Sequence, residues 1–104
     1  MSIVVDAVLT YLPQRRKKRV SGWVSVNGPC CEHNGKSADT RYRFGVIHDG
    51  EKIGFHCFNC GFKTSWRPGK NISFKLRSLL QWMHAPDDVI NKLALDVMQE
   101  NEER

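Results

Sequence analysis

Along the chain, apolar positions recur at helical spacing only toward the two ends. Val4, Val5, Val8, Leu9 and Leu12 share one face and stop at Pro13, which predicts a short N-terminal helix. Toward the C-terminus, Phe74 to His84 and Pro86 to about Asn101 read as two helices. Pro86 suits a first helical turn and Asp87 and Asp88 complement the helix dipole. Val89, Ile90, Leu93, Ala94, Val97 and Met98 then form one apolar stripe that needs a partner, by default the chain's own core.

Between these ends the period changes to two. Arg41 to His48 and Glu51 to Cys57 are strand-like runs joined by Asp49-Gly50, the dipeptide favoured in a two-residue type I′ turn. That turn pairs His48 with Glu51, Val46 with Ile53, Phe44 with Phe55 and Tyr42 with Cys57 on one apolar face. The opposite face carries Ile47 with Lys52, Gly45 with Gly54, and Arg43 with His56. Two opposed glycines either admit a flat ring or a second backbone, or merely accommodate twist or a packed side chain. Further strands are expected at Gly22 to Val26 and Lys63 to Arg67.

The fold class that follows is small α+β: an antiparallel ribbon with a short N-terminal helix and two C-terminal helices. Residues 1–70 hold the ribbon, the first helix and a basic segment, and residues 71–104 hold a helical extension packed on the same single domain. A length of 104 residues leaves no room for a second core.

Four cysteines decide how so small a core is held. They fall in two tight groups, Cys30-Cys31-Glu32-His33 and Cys57-Phe58-Asn59-Cys60-Gly61. Cys30 and His33 with Cys57 and Cys60 give C-x2-H followed by C-x2-C, and each short turn offers half of a zinc tetrahedron. Disulfides within such groups would close only tiny loops, and nothing else suggests an oxidising compartment. Cys31 reads as a small buried hydrophobe or bystander, with an exchange of ligand between the two neighbours left open. His48 and His56 are lesser rivals on predicted strands. One structural Zn2+ would contribute about 10 to 16 kcal/mol of apparent folding free energy, so its removal should unfold the ribbon.

The net charge of +5 is unevenly placed. Residues 1–75 hold thirteen basic and five acidic side chains, net +8, whereas residues 76–104 hold three and six, net −3. Only the front of the chain seeks a polyanion. Arg15, Arg16, Lys17, Lys18 and Arg19 repel one another unless solvated as a linker or facing phosphates. A secretory leader and an apolar run near membrane-spanning length are both missing from the pattern, so the expected location is cytoplasmic, away from any membrane.

These residues together resemble a family, the N-terminal zinc-binding domain of bacterial and phage DNA primases. The resemblance runs from the first helix and Tyr11-Leu12 through Cys30-x2-His33, Asn34-Gly35-Lys36-Ser37 and Phe44-Gly45-Val46 to Phe55-His56-Cys57-Phe58-Asn59-Cys60-Gly61, with a helical region following. It implies a zinc ribbon that recognises single-stranded template DNA while a catalytic primase domain, in cis or in trans, makes the RNA primer. It also implies contact with a replicative helicase and, for a phage protein, the bacterial host cytoplasm. Arg41, Arg43, Lys52, His56, Lys63 and Arg67 would supply charge, Trp66 or Phe58 stacking, and Asn59 or His56 contacts to base edges.

The clustered carboxylates that hold magnesium in a polymerising site are missing from this pattern, so the chain itself carries no catalytic residues and reads as part of a longer primase or a stand-alone module. The alternative from another class is a zinc-ribbon adaptor that binds a protein through its C-terminal amphipathic helix. A catalytic zinc is the poorest option, because four protein ligands leave no position for water.

Overall fold

The Ser2 hydroxyl accepts hydrogen bonds from the backbone N–H groups of Val4 and Val5, and this cap opens helix α1, Ile3–Tyr11. The computed structural model describes residues 2–49 and 51–103, without the side chain of Val20. Helix α1 buries Val4, Val5 and Val8, and Leu12 follows them into the core. At its far end the Arg16 guanidinium donates to the carbonyl oxygens of Leu9 (2.9 Å), Pro13 (3.0 Å) and Leu12 (3.4 Å). One charge of the basic run therefore sits at the negative end of a helix dipole.

Part of the rest of that run is built into the sheet. Lys17–Lys18 forms a short strand, β1, antiparallel to β2, Val24–Val26, with Lys17 opposite Ser25 and Lys18 opposite Val24. Lysines on an outermost strand discourage further strands from adding there. Strands β3 (Phe44–His48), β4 (Ile53–Cys57) and β5 (Lys63–Trp66) complete a five-stranded antiparallel sheet in the order β1-β2-β3-β4-β5. The chain ends in α2, Phe74–Trp82, and α3, Asp87–Glu102.

The β3–β4 register differs from the sequence expectation by two residues. Phe44 lies opposite Cys57, Val46 opposite Phe55 and His48 opposite Ile53. The cause is Asp49, whose Oδ1 accepts the N–H groups of Glu51 (3.1 Å) and Lys52 (3.0 Å) while its own N–H donates to the Lys52 carbonyl (3.2 Å). An Asx turn of this kind moves the closing pair from His48 and Glu51 to Asp49 and Lys52; Gly50 of the expected turn lies outside the described residues. A slip of two keeps the side chains of β3 and β4 on their predicted faces, whereas Tyr42, expected on the apolar face, precedes β3 at a left-handed φ of 54° and lies on the other face. Phe44 and Phe55 still meet, with ring centroids 6.0 Å apart.

The two glycines, however, are not opposed: Gly45 faces His56 and Gly54 faces Ile47. The opposed-glycine platform therefore loses its basis. The Trp23 ring covers Gly45 so closely that a Cβ there would stand 3.0 Å from it. Gly45 makes room for a side chain of the protein itself.

On the opposite, apolar face of the sheet, Val26, Phe44, Val46, Ile53 and Phe55 join the three helices in one buried cluster. Leu76, Leu79 and Leu80 come from α2, and Ile90, Leu93 and Val97 from the α3 stripe. The helical extension and the ribbon thus share a core. Met98, at the end of the stripe, is exposed.

Candidate metal centre and the face beside it

The two cysteine groups meet because the loop between them is folded by buried polar side chains. Asp39 accepts the backbone N–H groups of Gly28 (2.9 Å), Arg41 (2.9 Å) and Arg43 (2.8 Å), and the Arg43 Nε lies 3.3 Å from its other oxygen. Burial alone would raise the Asp39 pKa, but these donors outweigh it and hold the carboxyl below its ordinary range. Asn27 Oδ1 similarly accepts the N–H of Tyr42 (2.8 Å), a residue at a left-handed φ of 54°. Both side chains bring residues 39–43 back onto the strand that leads to Cys30.

Two turns then aim the thiols. In the first, the N–H groups of Asn34 (3.1 Å) and Lys36 (3.0 Å) donate to the Cys31 carbonyl. In the second, Gly61 N–H donates to the Cys57 carbonyl (3.0 Å) and Cys57 N–H to that of Phe62 (2.8 Å), with Gly61 at φ 81°. The Sγ atoms of Cys30, Cys31, Cys57 and Cys60 all lie within 4.8 Å of one another. Cys30 approaches Cys60 to 3.3 Å and Cys31 approaches Cys57 to 3.5 Å. Those separations are far beyond the roughly 2.0 Å of a disulfide. They lie near the about 3.8 Å edge of a tetrahedron with metal–sulfur bonds of about 2.3 Å. The four cysteines can hold a metal ion.

His33 is not among them. Its ring stacks on Trp82, with centroids 5.0 Å apart and planes 13° from parallel, and the fourth side chain of the group that can hold a metal is Cys31. Cys31 has helical dihedrals and leads into the single 3₁₀ turn Glu32–Asn34, so consecutive side chains diverge enough to meet different partners of the second turn. The other two rival histidines also lie elsewhere: His48 is exposed at the end of β3, and the His56 ring lies against Phe58, tilted by 32° with centroids 4.2 Å apart.

Burial, reinforced by Cys60 and Cys57, pushes the Cys30 thiol far above its usual pKa. Burial likewise pushes Cys31 up to about 11, against a hydrogen bond with Asn59. At Cys60 burial also acts upward, yet the Phe62 N–H, the neighbouring thiols and Asn34 bring the thiol below its ordinary value. A bound cation would let the whole set ionise. Four sulfur ligands close its coordination sphere, as in structural sites.

Gly28 packs against the cluster: a Cβ there would lie 3.1 Å from Cys31 Sγ and 3.3 Å from Cys57 Sγ. Gly28→Ala should weaken metal binding about tenfold or more, measured by competition with a coloured chelator. Unchanged affinity would mean that the thiols relax freely.

Beside the second turn, on the sheet face turned away from the core, Arg41 and Arg43 line a cleft of about 480 Å3 with Arg19, Trp23, Tyr42 and Phe58. The Phe58 N–H donates to the Arg43 carbonyl (2.9 Å), which ties the turn to that wall. The Lys17 ammonium stands 4.5 Å over the Tyr42 ring. From sequence Trp23 was not singled out, Tyr42 was expected on the apolar face, and Arg19 was named only as the last member of the basic run; an aromatic flanking a strand was the available signal for Trp23.

The remaining sequence candidates divide. Lys52 and Arg67 border a separate hollow near the β3–β4 loop. Lys63 lines a further cleft with Lys70 and Lys75. Asn59 donates its amide to the Ser37 carbonyl (3.1 Å) and so braces the loop. Trp66 is buried, and its indole N–H donates to the Lys70 carbonyl (2.8 Å), so the stacking role expected of it is not available.

Comparison with family models, with curated proteins and with solved structures finds no match. The primase resemblance accordingly rests on the residues that suggested it. Among the described residues, no helix is long and apolar enough to cross a membrane.

Proposed function

We propose that this chain is the zinc-binding domain of a phage-type DNA primase or primase-helicase, which recognises single-stranded template DNA for primer synthesis. The observation that carries the reading is the cleft beside the second cysteine turn, where three arginines and three aromatic rings stand together with no acidic side chain in the wall. Single strands are held by this combination, cations for the phosphates and flat rings for unstacked bases. Cys30, Cys31, Cys57 and Cys60 would hold one structural Zn2+, which supplies rigidity to the two turns.

The chain's own groups do the recognition. Arg19 and Arg41 offer charge at the cleft, Phe58 and Trp23 offer ring faces, and His56, in tilted contact with Phe58, offers a polar edge. On this reading polymerisation belongs to a catalytic domain in cis or in trans. The adaptor reading needs the α3 stripe at the surface, whereas Ile90, Leu93 and Val97 are buried.

A titration of zinc-loaded protein with single-stranded oligonucleotides tests the proposal. Affinity should fall steeply as salt rises. Arg41→Ala should weaken binding and lower the salt slope by about one, and His56→Ala should weaken it with zinc content unchanged. Arg43 is a poorer probe, since its guanidinium also pairs with buried Asp39. Absence of binding at low salt would defeat the reading.

A further inference from the structure

The most exposed large apolar side chains among the described residues are two phenylalanines, Phe58 at 71% and Phe74 at 82%. Neither supports the core. Phe58 borders the arginine cleft, and Phe74, at the first position of α2, borders a second cleft of about 740 Å3. The second cleft carries Lys63, Lys70 and Lys75. Trp23 lines both clefts, so they meet at its ring, and neither wall contains an Asp or Glu.

Three aromatic groups, Phe58, Trp23 and Phe74, thus lie along one surface with arginines at one end and lysines at the other. An acid-free wall selects a polyanion. Ring faces presented outward select one whose bases are unstacked, hence a single strand over a duplex.

We propose that single-stranded DNA held at the arginine cleft continues across Trp23 into the lysine cleft, where Phe74 is a second stacking platform and Lys63, Lys70 and Lys75 meet phosphates. This rests on the nucleic-acid reading above and extends it to the start of α2. The strand's footprint then reaches beyond the cysteine turn to the helical extension.

The test uses the full zinc-loaded chain and fluorescence anisotropy with labelled oligothymidylates of about 4 and about 12 nucleotides, lengths that bracket small single-strand sites. The longer oligonucleotide should bind about tenfold or more tightly. Phe74→Ala should weaken the longer one about 5- to 10-fold and leave the shorter one unchanged, whereas Phe58→Ala should weaken both. Lys70→Ala with Lys75→Ala should lower the salt slope for the longer one alone. Phe74 is almost wholly exposed, so its variant keeps the fold.

Equal affinity for both lengths, with Phe74→Ala silent and Phe58→Ala still damaging, overturns the extension and leaves the arginine-cleft reading intact. No binding of either length overturns both. Phe74-dependent capture of an acidic peptide, with no response to oligonucleotides, assigns the surface to a protein and also overturns the proposal.

Discussion

Cys31→Ala should release the metal and unfold the ribbon, whereas His33→Ala should do neither. The expectation follows from the thiol cluster, in which Cys31 reaches Cys57 at 3.5 Å while His33 is stacked on Trp82. A structural zinc in so small a domain contributes about 10 to 16 kcal/mol of apparent folding free energy, comparable with or larger than the net stability of an ordinary domain. Loss of one ligand, or treatment with a strong chelator, should abolish the cooperative thermal transition. His33→Ala forfeits only a ring contact, on the order of 0.5 to 1.5 kcal/mol. Metal content by native mass spectrometry, read beside thermal unfolding, separates the two. A Cys31 variant that keeps its metal beside a His33 variant that loses it would restore the Cys-His pattern of the primase resemblance.

The second large effect is expected at Asp39. Its carboxylate satisfies three backbone N–H groups and the Arg43 guanidinium within the loop that joins the cysteine turns. Asp39→Ala leaves those donors and one cation without their partner, at a cost of about 3 to 5 kcal/mol. Metal affinity should fall with it, because Gly28, held by Asp39, packs on two of the thiols.

The folded pKa of Asp39 is lowered, so the folded state binds fewer protons at this site than the unfolded state does. The stabilisation is present above the unfolded value of about 3.9 and is lost as pH falls through the lower folded value. Denaturant titrations across that acid range, wild type against Asp39→Asn, should converge as the carboxyl protonates. A constant gap between them would assign the effect to something other than this charge.

The fold was largely legible because burial follows periodicity. Val46, Phe55 and Ile53 occupy the face their alternation assigns, and the α3 stripe meets the core at the expected positions. What escaped depends on single polar side chains. Asp49 closes the β3–β4 loop in a way that the Asp-Gly dipeptide does not announce, and the register follows from that carboxylate. Asp39 looks like any loop acid until the Gly28 N–H, 11 residues away, joins the local donors Arg41 and Arg43 on its carboxylate.

At the site, spacing favoured Cys30 with His33 because a C-x2-H turn converges naturally on one ion. Adjacent cysteines can serve here because the second turn offers two well-placed partners, Cys60 for one thiol and Cys57 for the other. The basic run also resolved unevenly: Arg16 caps α1, Lys17 and Lys18 pair with β2, and Arg19 lines the cleft. Charge counting gave the sign of this segment, and the placement of each side chain needed the chain's path.

The proposed surface for single-stranded DNA is the sheet face beside the second cysteine turn, and amide and indole NMR shifts of the zinc-loaded protein, followed while an oligonucleotide is added, would locate it. Binding there should concentrate the shifts at Trp23, Gly45, His56 and Phe58 and at Arg19, Arg41 and Arg43, with the exposed side of α3 around Leu95 and Met98 silent. Shifts confined to α3, or a spectrum that does not respond at low salt, would overturn the proposal.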